Sequence, residues 1–407
     1  MSRMRYFIPG RVELIGKHVD YAGGSSLTCA IDRGLTVSVQ AIDAPLLRVR
    51  SSARSDAVEI PYSGSLHARD DHWSCYAKAV VRRLTRDFPS VQRGVEIAIT
   101  SSLPESAGLS SSSAITVAIA RAIVDANQLT EDSAWVRRIP DSLAEAEYFA
   151  AMETGAPFRD LAGDAGVGVA GGAQDHLAIL CAKTNHCGYF GYLPARCHDY
   201  LQWPADTVLA VAVSGVTATK TGNARAHYNR TADSLRALLH AWNLRHGVNH
   251  PTLRDAVSSA PEAVDGLRSL AKIGGFGVDS RYLVGRLEQF IIETQVLVPE
   301  AVRALAVGDL VTFGRLVARS HDLAETGLQN QVAETIALVH SAQSLGAIAA
   351  SAFGAGFGGA VWSMVHDTEA EPFLLQWSQS YRQRYPEHHA SSEFFLSRPS
   401  RAAAAID

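Results

Sequence analysis

The sequence predicts an α/β chain, in the broad sense that includes α+β, built as two domains. Its 407 residues exceed what one hydrophobic core usually serves. Segments with the period of two of a strand also alternate along the chain with segments of helical period. Finally, the near-continuous apolar run Thr207 to Val213, just after Trp203-Pro204, reads as a buried strand that opens a second half. The boundary therefore falls after residue 204, giving domains 1–204 and 205–407.

The first half starts with apolar alternation at Val12 and Leu14, and again at Leu35, Val37 and Val39, which suggests strands. Between them lies Gly16-Lys17-His18-Val19-Asp20-Tyr21-Ala22-Gly23-Gly24, a glycine-punctuated loop that concentrates charge; a solvated turn explains it as well as a binding loop does. His72 to Leu84 carries a helical pattern in which Trp73 and Tyr76 share a face, more often core than ligand. Val95 to Thr100 alternates as a strand. Ser142 to Thr154 reads as a helix holding Glu145 and Glu147, and a Gly-rich passage from Gly163 to Gly172 leads to Gln174-Asp175-His176. Asp175 fits either a partly buried carboxylate or an N-cap.

In the second half, a helical region opens at Tyr228-Asn229-Arg230. Amphipathic helices are expected around Ser280 to Val296, Ala301 to His321 and Val332 to Ser344. Gly346 to Ala350, Phe353 to Ala360 and Val361 to Val365 read as strand, glycine turn and strand, where another backbone can approach closely.

Strand Val95 to Thr100 delivers the chain into Leu103-Pro104-Glu105-Ser106-Ala107-Gly108-Leu109-Ser110-Ser111-Ser112-Ser113-Ala114, followed at once by the apolar run Ile115 to Val124. A small-residue loop opening into a helix aims backbone N–H groups and the positive end of the helix dipole at one spot, which suits a phosphate. The hydroxyls can bond phosphate oxygens or join the shell of Mg²⁺. The same string fits a serine-rich N-cap on a buried helix. It is not a Walker A loop, because no Gly-Lys-Ser/Thr follows.

Apolar content of 47%, charged content of 19% and a net charge of -4 describe an ordinary soluble protein without a basic field for nucleic acid or anionic membrane. The five cysteines, an odd number without C-x-x-C pairing, read as buried thiols of a reducing compartment. No apolar h-region follows Met1 to Tyr6, and no run of about 18 apolar residues occurs. These features lead us to expect a cytoplasmic protein with small-molecule partners, a monomer or a dimer.

Taken together and in order, the pieces resemble the GHMP sugar kinases, and within them the galactokinase branch. Gly10 to Gly24 looks like the sugar-binding motif, Leu103 to Ala114 like the phosphate loop, and Phe353 to Gly359 like the glycine-rich third motif. The resemblance spans nearly the whole chain. It implies two domains with largely antiparallel or mixed sheets covered by helices, an active site in the cleft between them, and ATP-dependent phosphorylation of a sugar at its anomeric hydroxyl. It also implies roles for individual residues. Asp175 would accept the hydroxyl proton, and Arg11 would hold that carboxylate and offset charge on the transferred group. His18, Asp20, Gly172 and Tyr228 would contact the sugar, and Trp73 would lie near the adenine. Ser106, Ala107, Gly108, Leu109, Ser110, Ser111 and Ser112 would cradle the phosphates with Gly356 nearby, and Ser112 with Glu145, or with Glu147 in its place, would hold Mg²⁺.

Three departures bear mainly on the substrate. Galactokinases carry Glu where this chain has Lys17, at a position facing the sugar's 6-hydroxyl, and a cation there would favour a uronate such as galacturonate or glucuronate. If Lys17 turns away, galactose remains the expected substrate. The first glycine of the phosphate loop is replaced by Ser106, and roughly Ala156 to Gly171 is an insertion where galactokinases are short. A further reading is a non-catalytic sugar sensor on the same fold, against which stands the retention of Asp175 and Arg11.

Overall fold

A computed structural model describes residues 4–52, 56–64, 66, 72–104, 107–217 and 223–406. Two sheets organise it. The first contains β1 (Met4–Ile15), β2 (Ser25–Ile42), β3 (Leu46–Ser51), β4 (Val58–Pro61), β5 (Gly94–Ser101), β6 (His186–Gly191) and β7 (Arg196–Gln202). The second contains β8 (Thr207–Val213), β9 (Ala349–Ala352), β10 (Ala360–His366) and β11 (Glu393–Ser397), in the order β11-β8-β10-β9. The terminal β12 (Ala404–Ala405) returns to the first sheet, whose order is β12-β1-β2-β5-β3-β4, with β6 on β2 and β7 on β6. Among the described residues, all pairings between these strands are antiparallel except β3 with β5, so the α/β, mixed-sheet expectation is met.

Strand β2 explains how the first sheet splits. It pairs with β6 along Ser25 to Thr28 and with β5 along Leu35 to Ile42, so one strand serves two partners on the same side. Register shifts in β1 between Pro9 and Arg11, and between Glu13 and Ile15, bend the strand where its functional residues sit, as bulges do.

Helices α1 (Ser74–Asp87), α2 (Ser111–Ala126), α3 (Ser133–Arg138), α4 (Ser142–Thr154) and α5 (Gln174–Leu180) belong to the first half. The apolar run after the serines becomes α2, with Val117, Ile119 and Ile123 fully buried. A helix apolar on most of its faces is an interior helix, and this one packs between the first sheet and its neighbouring helices.

The second half carries α6 (Asn223–His246), α7 (Leu253–Val257), α8 (Ala263–Ile273), α9 (Ser280–Ile292), α10 (Val298–Ala306), α11 (Leu310–Leu323), α12 (Ala333–Ser344) and α13 (Ala370–Arg384). The single helix expected over Ala301 to His321 is two. Gly308 takes a φ of 74°, which ends α10, and the Asp309 carboxylate accepts from the Thr312 N–H to start α11. Wide π-type turns at Glu293–Leu297 and Ala324–Leu328 follow α9 and α11. Of the five cysteines, which form no disulfide, Cys29, Cys75, Cys181 and Cys187 are buried and Cys197 is half-buried.

Candidate active site

Arg11 stands at the centre of the site. Its Nε donates to Asp175 Oδ1 at 2.7 Å and its Nη1 to the Gly108 carbonyl at 2.6 Å, while its backbone N–H reaches the Leu109 carbonyl at 3.3 Å. One side chain thus ties β1, the phosphate-loop candidate and the start of α5 together. Its guanidinium is only 3% exposed, so the attraction to Asp175 is little screened by water. Gly354 of the third motif comes against the same loop: a Cβ there would lie 2.9 Å from the Gly108 carbonyl, so the approach requires glycine.

On the other side of Asp175, Ser113 Oγ donates to Glu153 Oε2 at 3.1 Å and stands 3.4 Å from Asp175 Oδ2. His176 Nε2 lies 3.5 Å from Glu153 Oε2. An oxygen-rich corner of Ser113, Glu153 and Asp175 therefore faces the cavity at the first turn of α2.

The loop after β1 is held from behind by α9 and its π-type turn. Glu293 Oε1 accepts from the N–H groups of Gly16 at 2.8 Å and Lys17 at 3.2 Å, and from Ser320 Oγ at 2.7 Å. Gln289 Nε2 donates to the Lys17 carbonyl at 3.1 Å and Arg286 Nη2 to the His18 carbonyl at 2.6 Å. With its backbone so held, the loop turns His18, at φ 53°, toward the third motif: His18 Nε2 lies 3.2 Å from the Ala355 carbonyl and 3.2 Å from Asn330 Nδ2. Asp20 Oδ2 accepts from the Gln174 N–H at 3.4 Å. A Cβ on Gly172 would stand 2.5 Å from that oxygen, so only glycine lets the two segments meet.

Arg11, His18, Asp20, Gly172, Asp175 and Tyr228 all line one cavity, together with Gly354 and Ala355. Lys17 does not line it. Buried at 2% exposure, its ammonium stands 3.8 Å from Glu13 Oε1, and Glu13 is the member of this pair in the cavity wall. Glu13 Oε2 also accepts from Gln174 Nε2 at 2.6 Å. Burial pushes the Glu13 carboxyl up to about 7 against the pull of Lys17 and Arg11.

The phosphate-loop residues divide by role. Ala107 and Leu109 are buried and anchor the loop in the core, and Gly108 meets Arg11. Ser110 caps α2 at φ 61° with its Oγ buried and without a partner among the described residues, while Ser111 and Ser112 are half-buried in the first turn. Ser106 lies outside the described residues. Gly356, at φ 80°, packs on Asn330 beside the cavity wall. Trp73 is half-buried ahead of α1, its Nε1 donating to Asp56 Oδ2 at 3.2 Å, and is not in the cavity wall.

Glu145 lies elsewhere than the resemblance implies. Its carboxylate takes Arg121 Nη2 at 2.5 Å outside the cavity wall, and burial lifts it to about 7 despite that guanidinium. Glu147 accepts from the Ala195 N–H at 2.9 Å. The acid of α4 that reaches the serines is Glu153, near the helix C-terminus. Sequence reasoning passed over Ser113, Glu153, His176 and Glu13. The available signal was the two-turn spacing of Glu145 and Glu153 along one helix, but which acid meets α2 is a matter of how the two helices pack.

Three family models match the chain in order: the galactokinase galactose-binding signature over residues 3–41, the GHMP kinases N terminal domain over 75–183 and the GHMP kinases C terminal over 301–383. A galactokinase from Actinobacillus pleuropneumoniae is 26% identical over 370 residues, covering 90% of this chain and 86% of its own. One from Roseiflexus sp. (strain RS-1) is 27% identical over 379 residues, covering 92% and 86%. Among solved structures, Lactococcus lactis galactokinase complexed with galactose superposes with a TM-score of 0.79 at 20% identity, covering 100% of this chain and 95% of that one. The L. major mevalonate kinase in complex with R-mevalonate superposes at 0.58 and 14% identity, covering 98% and 97%. Among the described residues, no helix is long and apolar enough to cross a membrane. With three models in register with the three glycine-bearing blocks, the chain belongs to the GHMP kinases, as a galactokinase-like sugar kinase.

Proposed function

We propose that the protein transfers the γ-phosphoryl group of ATP to the anomeric hydroxyl of a monosaccharide, galactose before others, giving the sugar 1-phosphate and ADP. The observation that carries this reading is the buried Arg11–Asp175 pair, set between the phosphate-loop carbonyl of Gly108 and the cavity that His18, Asp20 and Tyr228 line. Phosphoryl transfer asks a protein mainly for positioning and charge stabilisation. Asp175 takes the hydroxyl proton as the sugar oxygen attacks. Arg11 holds the carboxylate in place and faces charge on the transferred group. His18, Asp20 and Tyr228 orient the ring, and the N–H groups at the start of α2 receive phosphate oxygens.

The donor set also fits Mg²⁺, which takes oxygen ligands from one or two carboxylates plus substrate phosphates. Ser113 and Glu153 are the residues we assign to it, in place of Ser112 and Glu145, because Ser113 and Glu153 face Asp175. The ion would neutralise phosphate charge.

The uronate alternative has little in its favour, since the Lys17 cation is already answered by Glu13 and the cavity wall carries further carboxylates. The sensor alternative is disfavoured by the intact Arg11–Asp175 pair. ATP use and the thiols agree with a cytoplasmic location, and the change of sheet between β7 and β8 agrees with a domain boundary near residue 204.

The test is ADP release with ATP and Mg²⁺ against galactose, galacturonate, glucuronate, arabinose and fucose. Turnover is expected to peak on galactose and to fall by about 10²- to 10⁴-fold in Asp175→Asn. Silence across the panel, or an Asp175→Asn enzyme as fast as the parent, overturns the reading.

A further inference from the structure

A cluster of buried polar groups lies behind the sugar cavity, and the mechanism above does not use it. Lys17 links its members: its ammonium stands 3.8 Å from Glu13 Oε1, its backbone N–H donates to Glu293, and its charge acts on His321, buried on α11. Lys17 Nζ, Glu13 Oε1 and Glu293 Oε2 are all buried without a hydrogen-bond partner among the described residues. A buried charge in that condition is expensive unless a counter-charge or a ligand answers it. Lys17 and Glu13 answer each other only as an ion pair, too long for a hydrogen bond, and the Glu13 side chain has its other oxygen on Gln174. Since Glu13 lines the cavity and Lys17 does not, whatever the pair does for substrate passes through Glu13.

We propose that Glu13 is a specificity residue of the sugar site, accepting a hydrogen bond from a donor group on the sugar, and that Lys17 is its positioning residue, a counter-charge that does not touch substrate. The proposal rests on the sugar-kinase reading and deepens it, by naming a neutral, hydroxyl-bearing sugar rather than a uronate as the substrate class. Charge decides this point. Glu13 and Glu293 are acidic and Lys17 is the cation between them. Burial, with Lys17 beside it, pushes the His321 imidazole down to about 3, which leaves it neutral near pH 7. Arg11, the other cation near Glu13, is committed to Asp175. The cluster is thus anionic on balance toward the cavity, which suits a hydroxyl donor and repels a carboxylate.

The groups that face Glu13 set its behaviour with pH. Arg11 from β1, Lys17 from the loop after it and Gln174 from α5 favour the carboxylate, while burial and Glu293 from the turn after α9 oppose it. Tyr192, beyond β6, is near enough to feel the Glu13 charge, and burial keeps its phenol protonated. With the balance at about 7, the acceptor form is lost as pH falls below neutrality, and it would be lost at higher pH still without Lys17.

The experiment is steady-state kinetics of the full chain with galactose and galacturonate from pH 6 to 9, with Glu13→Gln, Lys17→Met and Lys17→Arg variants and a thermal melt of each. For the parent enzyme, KM for galactose should rise as pH falls below about 7 while kcat at saturation stays within about threefold, and galacturonate should be the poorer substrate. Glu13→Gln should raise KM by about 10-fold or more, as loss of a bond to a charged group does, and flatten its pH profile. Lys17→Met should move the KM midpoint up by at least about one pH unit, so that KM recovers at high pH, and Lys17→Arg should keep the parent profile. A parent KM flat with pH, a Glu13→Gln enzyme with parent KM, or a preference for galacturonate overturns the proposal. A folded parent that phosphorylates no sugar overturns the kinase reading instead, and this inference with it.

Discussion

A carboxyl enclosed by two helices holds its proton longer than one in water, and Glu145 shows it. Burial between α2 and α4 raises it to about 7 although Arg121 bonds it directly. The sign of the consequence follows from proton counting. Between the ordinary carboxylate range and about pH 7, the folded chain keeps a proton here that the unfolded chain has released. Raising the pH through that window therefore lowers stability, and lowering it restores stability. Glu13 contributes in the same direction. We expect urea unfolding of a Glu145→Gln variant to show a flatter dependence of stability on pH between 5 and 8 than the parent; an identical slope would place the titration elsewhere. At this scale the sequence was informative about residue types and less so about partners. Arg11 and Asp175 stand out in the sequence, but the resemblance points to Glu145 or Glu147 as the metal acid, and spacing along α4 does not say which carboxylate meets a neighbouring helix.

Short segments held from outside decide the geometry of the cavity. In the loop after β1, Glu293, Gln289 and Arg286 hold the backbone of Gly16 to His18 from the end of α9. Wide π-type turns recur at functional sites, and Glu293 opens one here. The turn into α5 meets this loop at Gly172. A methyl group there would have to push Asp20 aside, since its Cβ would sit 2.5 Å from Oδ2 and 3.0 Å from the Asp20 backbone carbon. Gly172→Ala is therefore expected to raise the KM for sugar by about 10-fold, on the order of one lost hydrogen bond to a charged group, with KM for ATP little changed. Equal sugar KM in variant and parent would show that Asp20 has room to move. The glycine blocks were legible at this scale because close backbone approach leaves a mark in residue type. The break between α10 and α11 was not, since a single Gly308 inside a long amphipathic pattern reads as a tolerated residue.

Across the whole molecule, the chain ends where it began. After β11 completes the second sheet, the tail crosses back: Ser400 N–H donates to the Ala30 carbonyl at 2.8 Å, Ala403 N–H to that of Ile179 at 2.8 Å, and Ile406 N–H to that of Arg5 at 2.9 Å. β12 lies beside β1 at Tyr6 and Phe7, covering what would be a bare sheet edge. Deleting residues 399–407 removes these bonds and the one from the Asn185 N–H to the Pro399 carbonyl at 2.9 Å, each worth about 1 kcal/mol net, and should lower unfolding free energy by roughly 4 kcal/mol in urea titration. A truncated chain as stable as the parent would reduce the tail to decoration. The sequence by itself determined the mixed α/β class, the order of the three glycine-bearing blocks and the buried helix behind the serines, and it offered Arg11 and Asp175 as candidates, because each is written in near neighbours or in residue types with few uses. Only the tertiary structure decided that Lys17 faces Glu13 and not the cavity, that Glu153 and Ser113 share the corner with Asp175, and that the tail belongs to the first sheet. Those outcomes join residues far apart in the chain, or turn one carboxylate rather than its neighbour toward a site, and packing over such separations leaves no local pattern to read.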